Sequence, residues 1–214
     1  MQISSEIALA LERGEASKVA ELVQAELDSG ATPKKILDEG LIAGMAVVGG
    51  QFRRHEIFLP NVLMAAKAMY AGLDLLTPLL QDGDNPHRGT AVIGTVRGDL
   101  HDIGKNLVGI MLRGAGFEVI DLGNDVSAET FVAKAEESGA KVIGMSALLT
   151  TTMPGMAEVV ELLKAKGLSG KIRTVIGGAP VSQEYADEIA ADAYAFDGVS
   201  AVDRVSDLME LDSQ

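Results

Sequence analysis

The residues with the most chemistry between them lie in Arg97-Gly98-Asp99-Leu100-His101-Asp102-Ile103-Gly104-Lys105-Asn106, where an Asp and a His two apart stand among glycines. A carboxylate bonded to one imidazole nitrogen fixes the ring tautomer and leaves the other nitrogen free to bind a metal or take a proton. A second segment, Ser146-Ala147-Leu148-Leu149-Thr150-Thr151-Thr152, offers hydroxyls, and a third, Gly177-Gly178-Ala179-Pro180, offers bare backbone amides. Hydroxyls and amides at strand ends suit a phosphate or nucleotide portion. Plainer readings stand beside these. Asp99 and His101 also serve as polar loop, turn or capping residues, Thr150 to Thr152 as a helix cap before Pro154, and Gly177-Gly178 as a tight turn.

The elements that must position these segments have the texture of an α/β domain. Apolar β-type runs cover Ala91 to Val96, Phe117 to Leu122, Lys141 to Ala147, Ile172 to Gly177 and Ala193 to Asp197. Helical stretches begin near Asp102, Ala128, Met153, Ser182 and Ala201. Such alternation means βαβ units and a doubly wound, flavodoxin/Rossmann-like parallel sheet of five strands. Ligands in such sheets sit beyond the carboxyl ends of the strands. A flavodoxin-like strand order brings the three segments together there, while Gly123-Asn124-Asp125 and Asp197-Gly198 read as ordinary turns.

Upstream, from Ser4 to about Leu80, apolar residues recur at helical spacing and predict a bundle of about four helices. Val19, Leu22, Val23 and Leu27 form one stripe before Gly30. Thr32-Pro33 opens a helix through Ile36, Leu41 and Met45. Pro60 opens another, through Val62, Ala66, Met69, Leu73, Leu76 and Leu80. Gln81 to Thr90 has linker composition, so the expected division is a helical domain over 1–88 and an α/β domain over 89–214.

Composition removes several classes of function. With 18 Lys and Arg against 31 Asp and Glu, the net charge of −13 argues against nucleic-acid and acidic-membrane surfaces. Aromatic residues make up 4%, with no Trp and no Cys, which excludes disulfides, thiolate nucleophiles and Cys-ligated metals. No secretory signal is visible and no uninterrupted apolar run reaches membrane-span length, so the chain reads as soluble and cytoplasmic. Gly94, Gly98 and Gly104 do not supply a dinucleotide fingerprint. Hydroxyl and Gly residues stand where a phosphate-accepting receiver needs acid and Lys. A mononuclear zinc site needs three protein ligands, and two of the three His, His55 and His87, lie in the bundle and the linker.

Asp99 to Gly104 has the form D-x-H-x-x-G and is followed by Ser146-Ala147-Leu148 and Gly177-Gly178. The set resembles the cobalamin-binding domain of methionine synthase, B12-dependent mutases and corrinoid methyltransferase proteins. The helical half, above all Phe52-Arg53-Arg54-His55-Glu56-Ile57-Phe58-Leu59-Pro60, resembles the methylcobalamin cap of the methyltransferase branch. The resemblance implies a cobalamin or related corrinoid bound base-off, with His101 as lower axial ligand of cobalt and Asp99 and Thr152 completing a proton relay. Thr152 stands where methionine synthase has Ser. The nucleotide tail is then expected past Asp102, Ile103, Gly104, Ser146, Leu148 and Thr150 toward Gly177 and Gly178. Phe52 and Leu59 are expected over the cobalt-bound methyl group.

The implied function is a corrinoid methyl carrier cycling between Co(I) and methyl-Co(III) in one-carbon metabolism. It takes methyl from a substrate-specific methyltransferase, hands it to a second one with a tetrahydrofolate or thiol acceptor, and relies on a separate reductive activator. The region Gln81 to Thr90 is expected to act as a hinge. A B12-dependent sensor, which needs a basic DNA-binding region and a cap Trp, and the small subunit of an adenosylcobalamin mutase, which lacks this cap, are the alternatives.

Overall fold

The computed structural model describes residues 3–80 and 88–211, which form two compact units, one mainly from residues 3–80 and one mainly from 88–211. Residues 81–87, most of the expected hinge, lie outside the described residues.

The first unit is helical throughout: α1 (Ile3–Glu12), α2 (Ala16–Asp28), α3 (Pro33–Ile36), α4 (Ala43–Arg53) and α5 (Leu59–Leu76), with a short 3-10 turn over Thr77–Leu79. A π-helical turn, Leu37–Ile42, joins α3 to α4, so these read as one interrupted helix and the unit as a bundle of four. Thr32 caps α3 by accepting a hydrogen bond from the Lys35 amide, with Pro33 in the first turn. Gly40 and Gly44 lie against α1, where a Cβ would come within 3.1 Å of Ile7 and 3.0 Å of the Ala8 backbone. Leu59–Leu79 is long and apolar enough to cross a membrane by composition, at mean hydropathy 1.3. Within the unit, α5 instead buries Val62, Ala65, Ala66, Ala68, Met69, Gly72 and Leu76. It packs chiefly on α2. Lys67 and Asp74 stay exposed.

The second unit holds five parallel strands, β1 (Thr90–Thr95), β2 (Glu118–Asp121), β3 (Val142–Ser146), β4 (Arg173–Gly177) and β5 (Ala193–Ala195), in the order β2-β1-β3-β4-β5. They alternate with α6 (Ile103–Gly114), α7 (Ala128–Ser138), α8 (Pro154–Ala165), α9 (Gln183–Glu188) and α10 (Gly198–Leu211). Phe131 from α7 and Met156 and Val159 from α8 are fully buried in the main core, where a Cβ on Gly94 would meet the Phe131 ring at 2.7 Å. The neighbouring Ile93 points to the other face, toward Gly109 of α6. Helix α10 starts three residues before the expected Ala201 because Asp197 caps it, its Oδ1 accepting from the Ser200 amide at 2.7 Å. The same capping role shortens β5, which ends at Ala195 rather than Asp197.

The register sets Thr95, Ser146, Gly177 and Ala195 in a row across the carboxyl edge of the sheet. The strand order reverses between β1 and β3, which is where open α/β sheets form their crevice. The loops after β1, β3 and β4 are therefore neighbours.

Candidate corrinoid-binding site

Asp99 is fully buried in the loop between β1 and α6 and both carboxylate oxygens are bonded. Its Oδ1 accepts from the His101 amide at 3.1 Å and lies 2.8 Å from His101 Nδ1. Its Oδ2 accepts from the Leu148 amide at 2.7 Å, the Leu149 amide at 3.2 Å and Thr152 Oγ1 at 2.8 Å. Burial pushes the Asp99 carboxyl toward protonation, but the Leu148 and His101 amides, the Thr152 hydroxyl and the imidazole together hold it well below the usual carboxylate range.

An ionised Asp99 only accepts, so in the neutral ring Nδ1 carries the proton and Nε2 keeps its lone pair. The His101 side chain is about half exposed, at 52%, and among the described residues no hydrogen bond engages Nε2. Thr152 has one hydroxyl proton and two acceptors at 2.8 Å, Asp99 Oδ2 and the Leu149 carbonyl. The carboxylate is the stronger acceptor, and the Leu149 carbonyl already accepts from the Thr152 and Met153 amides. The structure thus joins Asp99, His101 and Thr152 in one hydrogen-bonded chain ending on a free ring nitrogen.

The loops that form this chain also carry apolar side chains left open to solvent: Leu100 (68% exposed) and Ile103 (78%) from the loop of His101, and Leu148 and Leu149 (43% each) from the loop after β3. Leu100 and Leu149 were not singled out in the sequence, where leucine in a loop carries no special signal. The backbone amides of Leu148 and Leu149, which hold Asp99, have no side-chain signature at all.

The remaining segments differ in kind. Gly104 is exposed at the start of α6, and a Cβ there would meet nothing within 4 Å. Nothing internal demands glycine at this position. Gly177 and Gly178 are the reverse: a Cβ would lie 2.7 Å from the Ala195 carbonyl oxygen at Gly177, and 1.8 Å from that of Ala147 at Gly178, where φ is +134°. Their own neighbours alone therefore require glycine at both positions. Asp102 opens α6, its carbonyl accepting from the Asn106 amide at 2.8 Å. Ser146 is half-buried at the end of β3, and Thr150 is exposed beside it. Phe52 and Leu59, both half-buried, flank the turn between α4 and α5 in the helical unit.

Gly123-Asn124-Asp125 turns out to brace the His101 loop. Asp125 Oδ1 accepts from the Gly98 amide at 2.7 Å, the Asp125 amide donates to the Asp99 carbonyl at 3.1 Å, and Asn124 Nδ2 donates to the Leu100 carbonyl at 3.4 Å. In sequence this turn looks like any other, because Gly, Asn and Asp are the usual turn residues.

A family model described as a B12 binding domain matches residues 89–206, and a second of the same description matches residues 3–77. The chain belongs to the B12-binding corrinoid proteins. It binds cobalamin or a related corrinoid, as a corrinoid protein of methyltransferase systems. It is 48% identical over 190 residues to dimethylamine corrinoid protein 1 of Methanosarcina acetivorans, spanning 88% of this chain and 87% of that protein. A corrinoid protein of Desulfitobacterium hafniense is 43% identical over 212 residues, 98% of each chain. Among solved structures, the methanol:cobalamin methyltransferase complex of Methanosarcina barkeri superposes with TM-score 0.88 at 34% identity, over 97% of this chain and 80% of that one.

The residues present suit a corrinoid. A single imidazole nitrogen fits a metal whose equatorial positions are already filled, and the exposed leucine and isoleucine side chains fit the face of a largely apolar ring. The open flank of Gly104 admits a chain passing close to the backbone.

Proposed function

We propose that this corrinoid protein is a methyl carrier that presents His101 Nε2 as the lower axial ligand of cobalt. The observation that carries the reading is the fully engaged Asp99, which in the neutral ring holds the proton on Nδ1 and leaves Nε2 with its lone pair on a half-exposed side chain, in a pair of loops with exposed leucine and isoleucine side chains. A bound corrinoid supplies a cobalt centre that accepts and gives up a methyl group. The protein's part is to hold and release the ligand. With a corrinoid bound, Asp99 and Thr152 would hold a proton on the imidazole whenever Nε2 was not engaged with the metal, and would favour the Nδ1–H tautomer for ligation. Asp102, Ile103, Gly104, Ser146, Leu148 and Thr150 line the way for the nucleotide tail, which ends near Gly177 and Gly178. Phe52 and Leu59 shield the methyl group from water.

The methyl group comes from a substrate-specific methyltransferase and passes to a second one that uses tetrahydrofolate or a thiol, while a reductive activator rescues oxidised cobalt. The dimethylamine and trimethylamine corrinoid proteins among the relatives, at 46 to 48% identity, favour a methylated amine as the donor. The reading places the protein in the cytoplasm. Reconstitution with hydroxocobalamin tests it: wild type should show a His-ligated spectrum and His101→Ala a base-off one or no bound cofactor. An unchanged spectrum in the variant refutes the ligand assignment.

A further inference from the structure

Lys105 stands in the first turn of α6, four residues after His101, with its side chain only 4% exposed. Its ammonium donates to both oxygens of Asp121, at 2.6 and 2.5 Å, and to Asn106 Oδ1 at 2.6 Å. A lysine here is opposed twice. Burial strips its hydration, and the first turn of a helix presents the positive end of the backbone dipole. Asp121, the last residue of β2, offsets both.

Asp121 does more than neutralise. Its Oδ1 also accepts from the Gly123 amide at 2.8 Å, which starts the Gly123-Asn124-Asp125 turn. From this turn the bonds run to the backbone of Gly98, Asp99 and Leu100 and, through Thr95, to that of His101. The Gly123 carbonyl accepts from the Thr95 amide at 2.9 Å, and Thr95 Oγ1 donates to the His101 carbonyl at 3.0 Å. Asn124 holds the Leu100 carbonyl, and Asp125 holds the Gly98 amide and the Asp99 carbonyl. Asp125 does so at φ +55°, a conformation that a non-glycine residue keeps only when its surroundings fix it. The loop after β3 holds the Asp99 side chain, which in turn holds the His101 ring and amide, while the turn after β2 holds the carbonyls of Asp99 and Leu100 and, through Thr95, that of His101.

We infer that Lys105 is a positioning residue for the cobalt ligand: by pairing with Asp121 it fixes the turn after β2, and so fixes where His101 Nε2 stands. The inference rests on the reading of His101 as lower ligand. Groups bonded directly to a ligating histidine change metal ligation by roughly 10- to 100-fold, so a residue that acts through a turn should show the lower end of that range.

The test uses full-length protein labelled with 15N-histidine, loaded with corrinoid and reduced to Co(II), with the axial nitrogen read from its hyperfine splitting in the electron paramagnetic resonance spectrum. Wild type should show coupling to a histidine 15N. Lys105→Met, which keeps length and apolar packing, should lower the ratio of His-ligated to unligated cobalt by about tenfold. Asp121→Asn, which keeps an acceptor for the Gly123 amide, should shift it the same way. Folded Lys105→Met with the wild-type ratio, whatever its melting temperature, makes the pair merely structural and overturns the inference. Should Lys105→Met not fold, Asp121→Asn decides by the same criterion. Wild type lacking histidine coupling overturns the ligand reading itself, and the inference falls with it.

Discussion

Gly104→Ala should make the empty protein more stable and the loaded protein harder to form. In the structure a Cβ at this position meets nothing within 4 Å, and φ is not in the left-handed region. Alanine in a helix is favoured over glycine by about 0.5–1 kcal/mol. For a chain of this size that raises the melting temperature by roughly 1–4 °C. If the corrinoid tail runs against the Gly104 backbone, the added methyl intrudes on a packed contact, which costs about 1–3 kcal/mol. The dissociation constant for hydroxocobalamin should then rise roughly 5- to 150-fold. Thermal denaturation of the empty protein and a spectroscopic titration read the two effects separately. Gly178→Ala is the control with opposite sign: its Cβ would sit 1.8 Å from the Ala147 oxygen, so the empty protein itself should lose about 3 kcal/mol or more. A Gly104→Ala protein that melts higher yet binds corrinoid as tightly as wild type would show that nothing passes close to this glycine.

Asp99→Asn should switch the imidazole tautomer. Turning its amide nitrogen toward Leu148 and Leu149 would leave two backbone donors without an acceptor, so it faces His101 instead, Nδ1 accepts, and the proton moves to Nε2. Nitrogen-15 shifts of the empty variant should report Nε2–H, and an unchanged tautomer refutes the assignment. Because the folded-state pKa of Asp99 is depressed, its contribution to stability is fully present above the ordinary carboxylate value near ~4 and is lost as pH falls below it. The acid limb of unfolding should therefore be shallower in Asp99→Asn. Thr152→Val removes a bond to a charged group and should cost about 1.5–3 kcal/mol in denaturant unfolding. Thr152→Ser should keep most of it, and equal losses in the two would mean that the methyl group, not the hydroxyl, matters.

Strands β1, β3 and β4 were legible because both their faces are largely buried, so each shows as an apolar run, whereas β2 exposes Glu118 and Asp121 and keeps only Val119 and Ile120 partly buried; the structure shifts the bounds by a residue or two at most. Asp99 and His101 were legible as side-chain chemistry near a strand end, whereas Thr152 was joined to them only by the resemblance to methionine synthase. What stayed hidden is what the chain makes by folding. The π-turn at Leu37–Ile42 lies among helix-period residues with Gly40 packed on Ile7, a tertiary circumstance. The amides of Leu148 and Leu149 act through backbone that every residue has. Lys105 was visible, yet its burial depends on Asp121, sixteen residues away, closing over it. Glycine identity was ambiguous in sequence as well: only the spacing of neighbouring atoms separates Gly104, with open space beside it, from Gly177 and Gly178.

The hydrogen bonds described around His101 run between Thr95 and Thr152, an unbroken stretch of chain from the last residue of β1 through β2 and β3. Neither β4, β5 nor the helical unit contributes to them. Under the proposed ligand role of His101, cobalt ligation would rest on one contiguous cassette of the chain, and substitutions outside that cassette would leave the hydrogen bonds that hold the ligand in place.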